Sequence, residues 1–193
     1  MKFNKPSGYD AAEVLPENGH YAKLPRGGYV AKILSVEEKE SRAGNQYLIF
    51  SLDIAEGEYM GFFAYDYANQ TGDKKWRFEY RMTVPNDRTK PYCLHLFKTV
   101  NTYLEESNPG WKFAWELDER QYRGKLIGVL VNERQYEKRN GFIGMVTNIA
   151  KLVKASTIRN GSYTVPDDVL LVKPPKEQDF VPDSVDDDDL PFA

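Results

Sequence analysis

The order of apolar and polar positions divides the chain into strands, one helix and two irregular ends. Tyr29–Val36 is strand-like in composition. Tyr47–Ile54 alternates, with Leu48, Phe50, Leu52 and Ile54 on one face. The turn-rich Glu40–Asn45 separates them. A turn at Glu56-Gly57-Glu58 leads to a third expected strand over Gly61–Tyr67. There Phe63, Tyr65 and Tyr67 oppose Phe62 and Ala64, so at most half of these rings can face outward. From Pro91 to Ser107 the period lengthens. Leu94, Phe97, Val100 and Leu104 recur at helical spacing, Pro91 suits a first turn, and Asn108-Pro109-Gly110 stops the run. Lys125–Tyr136 and Phe142–Ala150 then form a long hairpin. Its turn, Lys138-Arg139-Asn140-Gly141, carries the Asn-Gly pair that predicts type I′ geometry.

Strand, strand, strand, helix, strand, strand is the order of an OB fold. The expectation is therefore a mainly β protein, with a five-stranded OB-fold barrel over residues 24–165 and one helix between strands 3 and 4. Five strands also suit an SH3-like barrel, but a helix of this length at this point favours the OB order. Residues 1–23 read as an irregular N-terminal arm. Residues 166–193, with Pro174, Pro175, Pro182 and a run of acids, read as a flexible, disordered acidic tail. No internal repeat is evident.

Composition narrows the classes. Of 193 residues, 41% are hydrophobic and 28% charged, enough apolar material for a core. No apolar run approaches the ~20 residues that cross a bilayer, and no secretory signal is visible, so a cytoplasmic protein is expected. One cysteine, Cys93, and two histidines, His20 and His95, leave no disulfide framework and no Cys/His zinc site. Neither cofactor nor metal is expected. Catalysis is not expected either: the phosphate-loop, nucleophile-elbow and zinc-protease motifs are missing. Cys93 and His95, two apart on a helix, do not face each other.

Charge then points to a partner. The chain holds 26 bases and 29 acids, but the last 18 residues contain one base, Lys176, and seven acids. The remainder, with 25 bases and 22 acids, is about +3, and the end is −6. A basic body with an acidic end is a pointer to a body that meets nucleic acid or membrane, of which the rings below favour nucleic acid. Single strands bind where cations track phosphates and flat side chains stack on bases, at ~1–3 kcal/mol per base. The aromatic share of 13% exceeds what a core of this size needs, and the rings are interleaved with charge. Trp76-Arg77-Phe78-Glu79-Tyr80-Arg81, read as a working loop or extra hairpin, puts Trp76, Phe78 and Tyr80 on one face, with Arg77 and Arg81 on the other. A packed aromatic ribbon is the plain alternative for this segment. Tyr65 and Tyr67 are the expected outward rings of the third strand. On the fourth, Arg134, Tyr136 and Lys138 share the parity opposite to Ile127, Val129 and Val131, and Arg139 extends them at the hairpin tip. Lys32, Lys39, Arg42 and Tyr47 add to the set from the first two strands and their loop, with Lys39 and Arg42 expected to face Lys138 and Arg139 across the cleft.

The chain ends Asp186-Asp187-Asp188-Asp189-Leu190-Pro191-Phe192-Ala193. A solubilising tail needs no Leu-Pro-Phe hook behind four carboxylates. A docking peptide does, since the ring fills an apolar pocket and the acids meet a basic rim.

This tip resembles that of bacterial single-stranded DNA-binding proteins. The body is similar to the phage-encoded branch of that family over most of residues 24–165, through Leu24–Ile33, Asp53–Phe63 and Asn108–Phe113. The resemblance implies an OB fold and sequence-tolerant binding of single-stranded DNA during replication, recombination or repair. It also implies recruitment of partner enzymes through Asp186–Phe192, in the host cytoplasm. Phenylalanine usually ends such tips, whereas Ala193 follows it here. An OB-fold adaptor that binds RNA or protein is the alternative, and self-association is left open.

Overall fold

The computed structural model describes residues 23–171. Five strands, β1 (Gly27–Glu40), β2 (Gln46–Ile54), β3 (Glu79–Thr83), β4 (Leu126–Glu137) and β5 (Ile143–Val153), form one antiparallel sheet in the order β3-β2-β1-β4-β5. The helices are α1 (Phe62–Asn69), α2 (Pro91–Ser107) and α3 (Ala155–Arg159), with a 3₁₀ turn at Glu119–Tyr122. The chain is thus mixed α/β rather than mainly β, and no ladder joins β3 to β5 among the described residues, so the sheet is not closed into a barrel.

β1 spans both halves of the sheet. Its first six residues pair with β4 (Gly27↔Val131 to Lys32↔Leu126), and from Ala31 onward it pairs with β2, with an irregularity between Ile33 and Ser35. Such an irregularity bends and twists a strand, which lets one sheet wrap a core. As expected from the alternation, Leu48, Phe50, Leu52 and Ile54 are all buried. They meet Ile127, Val129 and Val131 from β4 and Phe97, Val100 and Leu104 from α2. The Tyr122 ring packs edge-on to Phe50, and its hydroxyl donates to Asn101 Oδ1 of α2 at 2.9 Å. Leu94, expected on the same helical face, is instead 53% exposed. At Gly128 an added Cβ would stand 2.6 Å from the Lys154 carbonyl oxygen, so α3 approaches β4 only because no side chain intervenes.

Two expectations are corrected. The expected third strand is a helix, α1, and the segment read as a loop or hairpin runs into the true β3. The cause is a tertiary cap. The Asp53 carboxylate at the end of β2 is buried and accepts from its neighbour Ile54 N (2.8 Å) and from Phe63 N (2.9 Å) and Ala64 N (3.1 Å). Those last two are free donors of the first helical turn. Gly61, at φ 76°, turns the chain into the helix. The hairpin turn is corrected as well. Only Gly141 has positive φ (79°), and Gly141 N donates to Lys138 O while Lys138 N donates to Phe142 O. That is a type I turn closed by a left-handed glycine rather than type I′, which would need Asn140 left-handed too.

Beyond Val131 the edge of β4 is taken by the segment that follows α3. Arg134 bridges in parallel to Val169, Gln135 N donates to Val169 O, Val169 N donates to Glu133 O, and Glu133 N donates to Asp168 Oδ1. Residues 166–171, read from sequence as the start of the tail, are therefore tied to the sheet. Residues 172–193, including the Asp186–Phe192 hook, lie outside the described residues.

Candidate nucleic-acid interface

Of the sequence-predicted residues, Trp76, Arg77, Phe78, Arg134 and Tyr136 line a cleft on the open side of the sheet. β3 is approached by the extended Trp76-Arg77-Phe78, and facing it are Arg134 of β4 and Val146–Ile149 of β5. This recess, about 240 Å³, continues into a second of about 440 Å³ between α1 and the β4–β5 hairpin. The second is lined by Phe62, Asp66, Arg77, Tyr136, Met145 and Lys23, among others. Arg77, Val146 and Thr147 line both, so they form one cleft.

Each wall is set by local physics. On β4, the parity of Arg134 and Tyr136 turns both side chains to solvent, while the register shift opposite Leu130 and Val131 leaves Ala150 of β5 as the extra residue. Tyr136 stands opposite Gly144, and a Cβ there would come within 2.8 Å of the ring. The ring therefore lies on a glycine, and it keeps 41% exposure. Tyr67 (38% exposed) lines neither recess but tilts against Trp76, which does, with centroids 5.6 Å apart, and Lys74 Nζ sits 5.7 Å from the Tyr67 centroid. Arg77 pairs with Asp66 at 3.5 Å. Arg134 makes no ion pair among the described residues, nor do Lys138 and Arg139 at the hairpin tip.

The alternation over Trp76–Arg81 holds, but with its rings turned inward. Phe78 is 1% exposed and stacks on Phe63, with centroids 4.1 Å apart and planes 6° from parallel. It belongs to the core and is unavailable to a base. Tyr80 is half-buried, and burial pushes its hydroxyl pKa up. Trp76 is half-buried too, with Nε1 donating to the carbonyls of Leu52 (3.0 Å) and Phe78 (3.2 Å), so only part of its ring can meet a ligand. The reason is pairing with β2: Leu48↔Met82 and Phe50↔Tyr80 commit that parity to the core. Tyr65 is well exposed (62%), but on α1 rather than on a sheet face.

Arg81 and Tyr47 meet outside the cleft. On the outer face of β2 and β3 the Arg81 guanidinium lies 3.7 Å from the centre of the Tyr47 ring, a cation–π stack. Lys32 and Arg42 are exposed, and neither lines the cleft. The β1–β2 and β4–β5 turns leave from opposite ends of the β1–β4 ladder, so Lys39 and Arg42 stand at one end and Lys138 and Arg139 at the other. Lys39 is paired with Glu37 at 2.9 Å. Sequence reading missed Lys23, Phe62 and Met145 in the cleft, and Arg88 and Lys90 beside the Arg81–Tyr47 stack. The signal for the last two was available: two cations two positions apart, directly before the proline that opens α2.

Among the described residues no cluster of His, Cys, Asp and Glu could hold a metal, and no helix is long and apolar enough to cross a membrane. Residues 7–84 match a family described as a protein of unknown function, DUF669. The match takes in β1, β2, α1 and β3, and stops short of α2 and the β4–β5 hairpin. No curated protein matches the chain.

Proposed function

We propose that this chain is a non-catalytic protein that coats single-stranded DNA, with the cleft between β3 and β5 as the place where the strand lies. The observation that carries the reading is the convergence of Trp76 and Arg77 with Arg134 and Tyr136, drawn from distant parts of the chain onto one open cleft. Rings supply stacking surfaces for bases, and Arg134, Lys138 and Arg139 neutralise phosphates with release of counterions. The strand order supports an OB-type fold left open at its closing seam. Such a protein, phage-encoded by its resemblance, acts in replication, recombination or repair in the host cytoplasm. Its tail, Asp186–Phe192, recruits enzymes of those processes.

The test is a fluorescence anisotropy titration with labelled oligo(dT) and with duplex of equal length. Preference for the single strand, with affinity falling steeply as salt rises, is the expected result. Equal binding to both, or none, contradicts the reading.

A second reading has its own observation. Trp115 (64% exposed) stacks on Phe97 beside exposed Leu94 (53%) and Leu117 (58%), an apolar surface that suits a protein partner. An adaptor that binds protein through this surface would show no salt-dependent affinity for oligo(dT).

A further inference from the structure

A second groove, of about 400 Å³, opens at the far end of β3, lined by Ser41, Tyr47, Arg81, Thr83, Arg88 and Lys90 among others. No carboxylate lines it, whereas the cleft contains Asp66 and Glu79. The cations differ in degree. Two of the cleft's three are paired, Lys23 with Glu133 at 2.9 Å and Arg77 with Asp66 at 3.5 Å, which leaves Arg134 without an ion pair among the described residues. Arg88 and Lys90 are exposed and make no ion pair among the described residues. Arg81 has the Tyr47 ring 3.7 Å from its guanidinium centre and makes no ion pair among the described residues. Three cations gathered without a counter-charge repel one another, and an anion from outside relieves that cost.

We infer that this groove takes a second stretch of the same single strand. Arg88 and Lys90 bind its phosphates, and Arg81, backed by Tyr47, is a platform for a base. The inference rests on the single-strand reading above and extends it to a longer substrate. Arg77, in the extended segment that leads into β3, has the parity of Arg81 within it, four residues or about 13 Å away at the ~3.3 Å rise of a strand. Glu79 lies between them on that face, so cleft and groove are two separate stations rather than one continuous cationic track.

The experiment compares oligo(dT) of about 4 and about 16 nucleotides, the range that one such fold covers. Each is titrated against the full chain and its Arg88→Ala/Lys90→Ala double variant at several salt concentrations. For the long oligonucleotide the variant loses about tenfold in affinity at low salt. Its log–log salt slope becomes shallower by about 1.4, two phosphates at ~0.7 each. The short one, held by the cleft, is unaffected. A Lys151→Ala/Arg123→Ala variant removes the same net charge from sites lining neither feature and leaves the slope unchanged, and thermal melts check that each variant folds. Unchanged long-oligonucleotide affinity and slope overturn the groove, as does an equal loss with both lengths, which would make the groove the primary station. If the unaltered chain binds neither length, the single-strand reading itself fails.

Discussion

The cleft and the groove sit at opposite ends of β3 and are built from different materials. The cleft is rich in rings, with Trp76, Phe62 and Tyr136 on its walls, and two of its cations are already paired, Arg77 with Asp66 and Lys23 with Glu133. The groove has one ring, Tyr47, and three cations with no carboxylate among them. Flat faces sort with bases and uncompensated charge with phosphates, so stacking adds to the phosphate contacts of Arg134 at the cleft, whereas the groove relies mainly on counterion release. Substitutions in the two should therefore differ in their salt dependence even where they cost similar affinity.

The largest effect is expected at Asp53. Its carboxylate serves three N–H groups and anchors α1, one wall of the cleft. Asp53→Ala leaves those donors without a partner and costs about 3 kcal/mol of stability, at the upper end for a charged hydrogen-bonding group. Chemical denaturation measures it, and a loss below about 1 kcal/mol would show that α1 holds without the cap. Tyr136→Ala comes next. It lowers oligo(dT) affinity by the ~1–3 kcal/mol of a lost stack, about 5- to 150-fold, with the salt slope unchanged. A changed slope with little loss would place Tyr136 outside the stacking surface. Gly144→Val acts on the same ring by pushing it off its glycine seat, and should cost a fraction of the Tyr136→Ala loss at the same salt slope.

The smallest effect concerns pH. Arg159 holds Glu56 through two hydrogen bonds, 3.1 Å from Nε and 2.6 Å from Nη2, which keep the Glu56 carboxyl below its usual range. A depressed carboxyl contributes stability above its unfolded pKa and loses it as pH falls through the folded one. Glu56→Gln should therefore lower the melting point at neutral pH by the equivalent of under ~1 kcal/mol, as for an exposed pair. The difference should vanish in acid. A difference that persists in acid would rule out the ion pair as its source.

The same contrast explains what was legible in the sequence. β1, β2, α2 and the β4–β5 hairpin follow from their periods because each buries its own apolar stripe. Leu48, Phe50, Leu52 and Ile54 are the plainest case. Phe62–Tyr67 is aromatic at four of its six positions, so neither period stands out, and a carboxylate ten residues before Phe63 decides in favour of helix. That contact belongs to the tertiary fold and leaves no local trace. Parity alone turned Arg134 and Tyr136 outward correctly. It could not say which face of Trp76–Arg81 would be inside, because that depends on β2 taking β3 as its partner. Arg88 and Lys90 stand out as a pair of cations before Pro91, but only the approach of β2 and β3 makes their connection the wall of a groove.

Photo-cross-linking tests the central claim most directly. An oligonucleotide carrying 5-iodouracil is bound at low salt and irradiated, and the adducts are mapped by mass spectrometry. The account predicts adducts on Tyr136 and on Trp76 or Tyr67, suppressed by unlabelled oligo(dT). Adducts confined to Trp115 and the apolar surface around it, with the cleft rings untouched, would contradict it.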